Sequence, residues 1–159
     1  MIETISLGTF SITSGQIIAA DPRHGGPRCG GTLSPVRRGT WRAAVLTVPG
    51  DKFDPPGTRR VARLTAHHED ASPGDSWERA PFDVGVDNGN AGLWDASVTC
   101  PSLSLRETLG ATFEGGVASC SGWGDGGYTC GVQRDKKGEI IAAALSFIGE
   151  IVLTTEGAR

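Results

Sequence analysis

The chain has 159 residues, 18 acidic against 15 basic side chains, and a formal net charge of −3. That length suits one domain, residues 1–159, able to bury a core unaided. The mild charge, with basic pairs scattered at Arg37-Arg38, Arg59-Arg60 and Lys136-Lys137, argues against nucleic acid as a partner.

Long apolar runs of the kind that span a bilayer are absent, so no membrane association is expected. Met1-Ile2-Glu3-Thr4 lacks the basic start and apolar stretch of a secretory leader, and the expected compartment is the cytoplasm.

In chain order, Phe10 to Thr13 and Gln16 to Ala20 read as short strands around a Ser14-Gly15 turn. Thr40 to Val48 alternates, with Trp41, Ala43, Val45 and Thr47 on one face. Arg60 to His68 alternates again, with Ala62, Leu64 and Ala66 opposite Val61, Arg63 and Thr65. Between them the segment Pro49 to Gly57 holds three prolines and two glycines, which deny a ladder its donors and make a loop. One or two helical turns are predicted near Ser102 to Leu109, between a serine cap and Gly110. Tyr128 to Arg134, the turn Asp135 to Gly138, and Glu139 to Phe147 form the clearest hairpin.

Two segments echo each other. Ser14-Gly15 precedes Asp21 at the distance at which Asn88-Gly89 precedes Asp95. Each follows an aromatic-led strand (Phe10 onward, Phe82 onward) and precedes an aromatic-led hairpin, Trp41 to His68 or Tyr128 to Phe147. The expectation is a mainly β fold: two related β halves, about 1–75 and 76–159, closing a shared core as a sandwich or partly open barrel, with at most one or two short helices.

The densest local signal is Ser121-Gly122-Trp123-Gly124-Asp125-Gly126-Gly127-Tyr128. Glycine accepts positive φ without steric penalty, so this density marks a backbone that turns sharply. A P-loop would need lysine and Ser/Thr after the glycines, and a dinucleotide loop would need a helix after it. Neither follows. Trp123, Asp125 and Tyr128 make the segment a shaped loop and the best candidate site.

These stretches resemble a known family. Gly39-Thr40-Trp41-Arg42-Ala43-Ala44-Val45, Arg60-Val61-Ala62, the run from Val86 to Asp95, and Ser121 to Tyr128 look like successive motifs of a bacterial family catalogued as domain of unknown function 4241. The resemblance runs in order over nearly the whole chain, with Asn88 and Asn90 departing from the family's usual pattern. It implies a shared fold and a bacterial or phage origin, and no activity.

Asp21, Asp95 and Asp125 carry the sharpest chemical hypothesis. Equivalent places in two packed halves would bring Asp21 and Asp95 into relation, with Asp125 on a loop able to reach one of them. Clustered carboxylates could hold a hard divalent cation or divide acid and base roles. The structural reading is that each caps a turn by accepting backbone N–H bonds, as aspartate does beside proline or glycine in Asp21-Pro22 and Asp125-Gly126.

His67 and His68 are adjacent in a strand and face opposite ways, which suits one inward and one solvated ring better than a shared metal. A His24–Cys29 dyad would lack an orienting group and an oxyanion site. Cys120 and Cys130 flank the glycine loop, either as a disulfide across a hairpin or, in a reducing compartment, as buried thiols. Trp41 and Trp94 read as core. Trp123 is either an exposed anchor or a lid over the glycines.

The reading ranked first is a non-enzymatic protein-binding module of immunity or antagonist type, with no cofactor, whose partner is a protein such as a toxin or other effector. Its binding residues are Trp123, Asp125, Tyr128, Asp21 and Asp95. The alternative is a small-molecule- or metal-binding protein, or a hydrolase, with a carboxylate-lined pocket between the halves.

Overall fold

The computed structural model describes residues 1–24 (the side chain of His24 excepted), 27–101, 105 and 108–154. Its strands are β1 (Glu3–Ile12), β2 (Ile17–Ala20), β3 (Gly31–Leu33), β4 (Gly39–Pro49), β5 (Arg59–His68), β6 (Ser76–Val86), β7 (Asn90–Asp95), β8 (Gly110–Phe113), β9 (Gly116–Cys120), β10 (Gly126–Arg134), β11 (Ile140–Ser146) and β12 (Val152–Leu153). Two short 3-10 turns, Pro22–His24 and Pro27–Cys29, separate β2 from β3. The predicted helix near Ser102 to Leu109 falls largely outside the described residues.

The strands form two sheets. Seven run in the order β1-β4-β5-β11-β10-β6-β12 and five in the order β3-β2-β7-β9-β8. The result is a mainly β, sandwich-like fold whose larger sheet curls into a half-barrel. Phe10 to Thr13 and Gln16 to Ala20 do not pair with each other. The Ser14-Gly15 turn carries the chain from the larger sheet to the smaller one, as β1 pairs with β4 and β2 pairs with β3 and β7.

Alternation explains the packing. On β4, Trp41, Ala43, Val45 and Thr47 are buried while the residues between them are not. On β5, Leu64, Ala66 and His68 face inward, but Val61 and Ala62 are both buried. A register shift opposite Leu46 and Thr47 inserts the extra residue that allows this, as a bulge does. One core cluster draws Ile17, Leu93 and Val117 from the smaller sheet and Trp41, Leu64 and Leu145 from the larger. Apolar faces of two sheets thus leave water against each other, the chief drive for a sandwich.

The larger sheet reads alike from both sides of its middle, β1-β4-β5 meeting β11-β10-β6. The register of Thr9 to Ile12 on β4 matches that of Asp83 to Val86 on β10, and past the irregularity in each ladder the two differ by one residue. Phe10 pairs with Trp41 and Val84 with Tyr128, while Ile12 pairs with Gly39 and Val86 with Gly126. Phe10 and Val84 are as far apart in the chain as Ile12 and Val86, and Trp41 and Tyr128 as far apart as Gly39 and Gly126. Trp41 packs edge-on against His68 at the end of β5, and Tyr128 packs edge-on against Phe147 just past β11. Trp41 donates its Nε1–H to the Arg37 carbonyl, and Tyr128 its hydroxyl to the Gly124 carbonyl, each four residues back.

Candidate functional site

The glycine segment links β9 of the smaller sheet to β10 of the larger. Gly122 and Gly124 hold φ values of +67° and +103°, a region that residues with a Cβ avoid. The turn closes on itself. Gly124 N–H donates to the Ser121 carbonyl, and the Ser121 hydroxyl donates back to the Gly124 carbonyl at 2.8 Å. The Tyr128 hydroxyl reaches the same carbonyl at 2.6 Å. Burial pushes the Tyr128 phenol above its ordinary value against the opposing hydrogen bond with Ser121, and nearby Asp125 adds to the rise.

Two bonds latch this loop to the turn between β6 and β7. Ser121 N–H donates to the Gly89 carbonyl, and Gly89 N–H donates to Asp125 Oδ1 at 3.2 Å. Asp125 is therefore occupied in fixing backbone.

Trp123 stands out from this scaffold with 52% of its surface exposed. The Arg60 guanidinium lies 4.3 Å from its ring centroid, a cation–π contact. The same guanidinium donates through Nη1 to the Gly122 carbonyl at 2.8 Å, and through Nε and Nη2 to Asp54 at 2.8 and 2.6 Å. Those two bonds hold Asp54 below the usual carboxylate range. Arg60 thus ties the 50–58 loop, with Phe53 exposed on it, to the glycine loop.

A cleft of about 450 Å³ opens beside this cluster, lined among others by Arg59, Arg60, Leu109, Cys120 and Trp123. Of the three candidates on this loop, Trp123 lines the cleft, while Asp125 and Tyr128 bond the backbone at Gly89 and Gly124. Arg59, Arg60 and Asp54 are the partners that sequence reading missed. In the sequence Arg60 is one of several scattered charges, and its reach across to Gly122 exists only once β5 and the loop after β9 are placed side by side.

Asp21 and Asp95 lie elsewhere. Both are buried, 0% and 1% exposed, at the ends of β2 and β7. Asp95 is in register with Ile17, which is roughly 13 Å along an extended strand from Asp21. They do not share a pocket. Asp21 accepts from Arg23 N–H and Asp87 N–H. Asp95 accepts from Ser97 N–H on one oxygen and from the backbone amides of Thr13 and Ser14 on the other.

Burial alone would raise the Asp95 carboxyl. Hydrogen bonds from Ser14, Thr13 and Ser97 outweigh it and hold the group far below the usual range. Among the described residues no group of three or more His, Cys, Asp or Glu side chains is placed to hold a metal ion.

The remaining candidates resolve as scaffold. All four thiols are free. Cys120 ends β9 and Cys130 is buried in β10, in different sheets, so they do not face each other across a hairpin. Burial pushes Cys120 upward, and Cys130 up to about 12, away from the thiolate form that attacks electrophiles. His68 is buried between the Arg38 carbonyl and the Asp70 amide, while His67 is half-buried. Asp70 N–H donates to Nδ1 of His68, leaving Nε2–H to donate to Arg38. Trp41 and Trp94 are core.

No family model, curated protein or solved structure matches the chain.

Proposed function

We propose that this protein is a non-enzymatic binding module of immunity or antagonist type, which docks a partner protein through the glycine loop. The observation that carries the reading is the contrast between Trp123 and its counterpart. Trp123 stands as far before Tyr128 as Val36 stands before Trp41. Val36 is 1% exposed and belongs to the core, whereas Trp123 is 52% exposed. The scaffold can turn that position inward, so an outward tryptophan is a feature of this loop and not a demand of the fold.

A tryptophan stacked on Arg60, in a loop fixed by five hydrogen bonds, loses little freedom on docking, which is what an anchor residue needs. The matched registers and bonds of the two sides support reading the chain as a duplicated β unit whose second copy acquired the anchor. The likeness to family 4241 is part of the same proposal, since its glycine motif is the loop described here.

The test is affinity capture from a lysate of the source organism, comparing wild type with Trp123→Ala. The expected result is a stoichiometric partner lost in the variant. A partner retained by a folded Trp123→Ala protein, or none captured by the wild type, overturns the reading.

A further inference from the structure

We propose that the partner presents an acidic segment, an apolar residue stacking on Trp123 beside a carboxylate that binds Arg59. This rests on the docking site proposed above and names the chemistry it takes. The net charge of −3 points the other way, toward a basic partner, so the local geometry has to decide.

The two arginines at the mouth differ. Asp54 compensates Arg60 through two short bonds. Arg59 has no carboxylate partner among the described residues. Its Nε donates to the Thr47 hydroxyl, and its Nη2 to that hydroxyl and to the carbonyls of Thr47 and Met1. Its Nη1 makes no hydrogen bond among the described residues. Carbonyls and a hydroxyl orient a guanidinium without supplying a counter-charge, so among the described residues Arg59 keeps the two N–H donors of Nη1 for a carboxylate. No Asp or Glu lies among the described residues lining the cleft.

The apolar half is equally defined. Arg60 stacks on the Trp123 ring, and about half of the residue's surface stays exposed. Leu109 and Cys120 extend that surface into the cleft. A ligand that is apolar alone would leave Arg59 unpaired beside it, and one with a cation would meet like charge. A carboxylate next to an apolar or aromatic side chain satisfies both, because a guanidinium takes a carboxylate by paired N–H bonds.

The experiment is selection of random displayed decapeptides on the immobilised full chain. It is repeated on Trp123→Ala and on Arg59→Gln, each first shown to be folded by circular dichroism. The expected outcome is enrichment of acidic peptides with an aromatic or aliphatic residue next to Asp or Glu, absent on Trp123→Ala. The best peptide, synthesised and titrated by tryptophan fluorescence, should bind at least about tenfold more weakly to Arg59→Gln, as loss of a charged hydrogen bond implies. Its affinity should also fall as salt rises.

Basic or neutral peptides enriched in a Trp123-dependent way would overturn the acidic partner and leave the docking site standing. Enrichment unchanged by Trp123→Ala, or no enrichment, would overturn both.

Discussion

Asp21 and Asp95 make the same two bonds in exchanged positions. Each accepts the amide two residues ahead, from Arg23 or Ser97, on Oδ1. Each accepts on Oδ2 an amide from the turn at the other strand's start, Asp87 for Asp21 and Thr13 for Asp95. The spacing that separates Asp21 from Asp95 also separates Thr13 from Asp87 and Arg23 from Ser97. The antiparallel pairing of β2 with β7 is centred on Ala19 and Leu93, which share that spacing. A local twofold relation accounts for all of these at once, and each carboxylate pins the turn that leads into its neighbour's strand.

Replacing Asp95 with Asn keeps the shape but sets an amide against the donors of Thr13, Ser14 or Ser97. At neutral pH urea denaturation is expected to show a loss of about 1–3 kcal/mol, the cost of buried donors left without an acceptor. The folded state depresses this carboxyl, so its contribution is complete above the ordinary carboxylate value and fades as pH falls through the lower folded value. The gap between wild type and Asp95→Asn should therefore narrow below about pH 4. A gap that stays constant down to pH 2 would refute the assignment.

The two inner glycines of the loop should differ in tolerance. A Cβ on Gly122 would stand 2.9 Å from the Val61 carbonyl and 3.0 Å from Phe147 Cβ, in addition to the cost of its positive φ. A Cβ on Gly124 meets nothing within 4 Å. Gly124→Ala is expected to cost only the left-handed penalty of about 1–2 kcal/mol. Gly122→Ala adds overpacking of about 1–3 kcal/mol. Thermal melts check the order, and equal shifts would contradict the geometry.

Trp123 should dominate the accessible tryptophan fluorescence, since Trp41, Trp77 and Trp94 are buried. Acrylamide quenching is expected to lose its accessible component in Trp123→Phe. In Arg60→Ala the quenching constant should rise, because the guanidinium no longer covers one ring face. Unchanged quenching in Arg60→Ala would mean that the stack does not hold in solution.

Thiol titration separates the cysteines by burial. Burial raises Cys100 to about 11 and Cys130 to about 12, so both should resist a disulfide reagent at pH 8 in the native protein. Cys29, half-buried, should react first. Four thiols should titrate in guanidinium without reductant. Two or fewer would show a disulfide that the structure does not contain.

Local pattern determined much of this protein. Alternation across Thr40 to Val48, and the turn chemistry of Pro49 to Gly57 and Asp135 to Gly138, specify strands and breaks because side-chain period and backbone donors act over a few residues. The echo of Ser14-Gly15 to Asp21 in Asn88-Gly89 to Asp95 was legible for the same reason, and so was a sharply turning loop at Trp123.

Tertiary structure decided what those residues do. Whether Asp21 and Asp95 converge depends on the register of β2 against β7, which places their carboxylates at opposite ends of a strand pair. Whether Cys120 meets Cys130 depends on which sheet each strand joins. Arg60 became part of the site only because β5 passes beneath the glycine loop, bringing its guanidinium to Gly122 and Trp123. Such contacts join residues far apart in the chain, and no local preference encodes them.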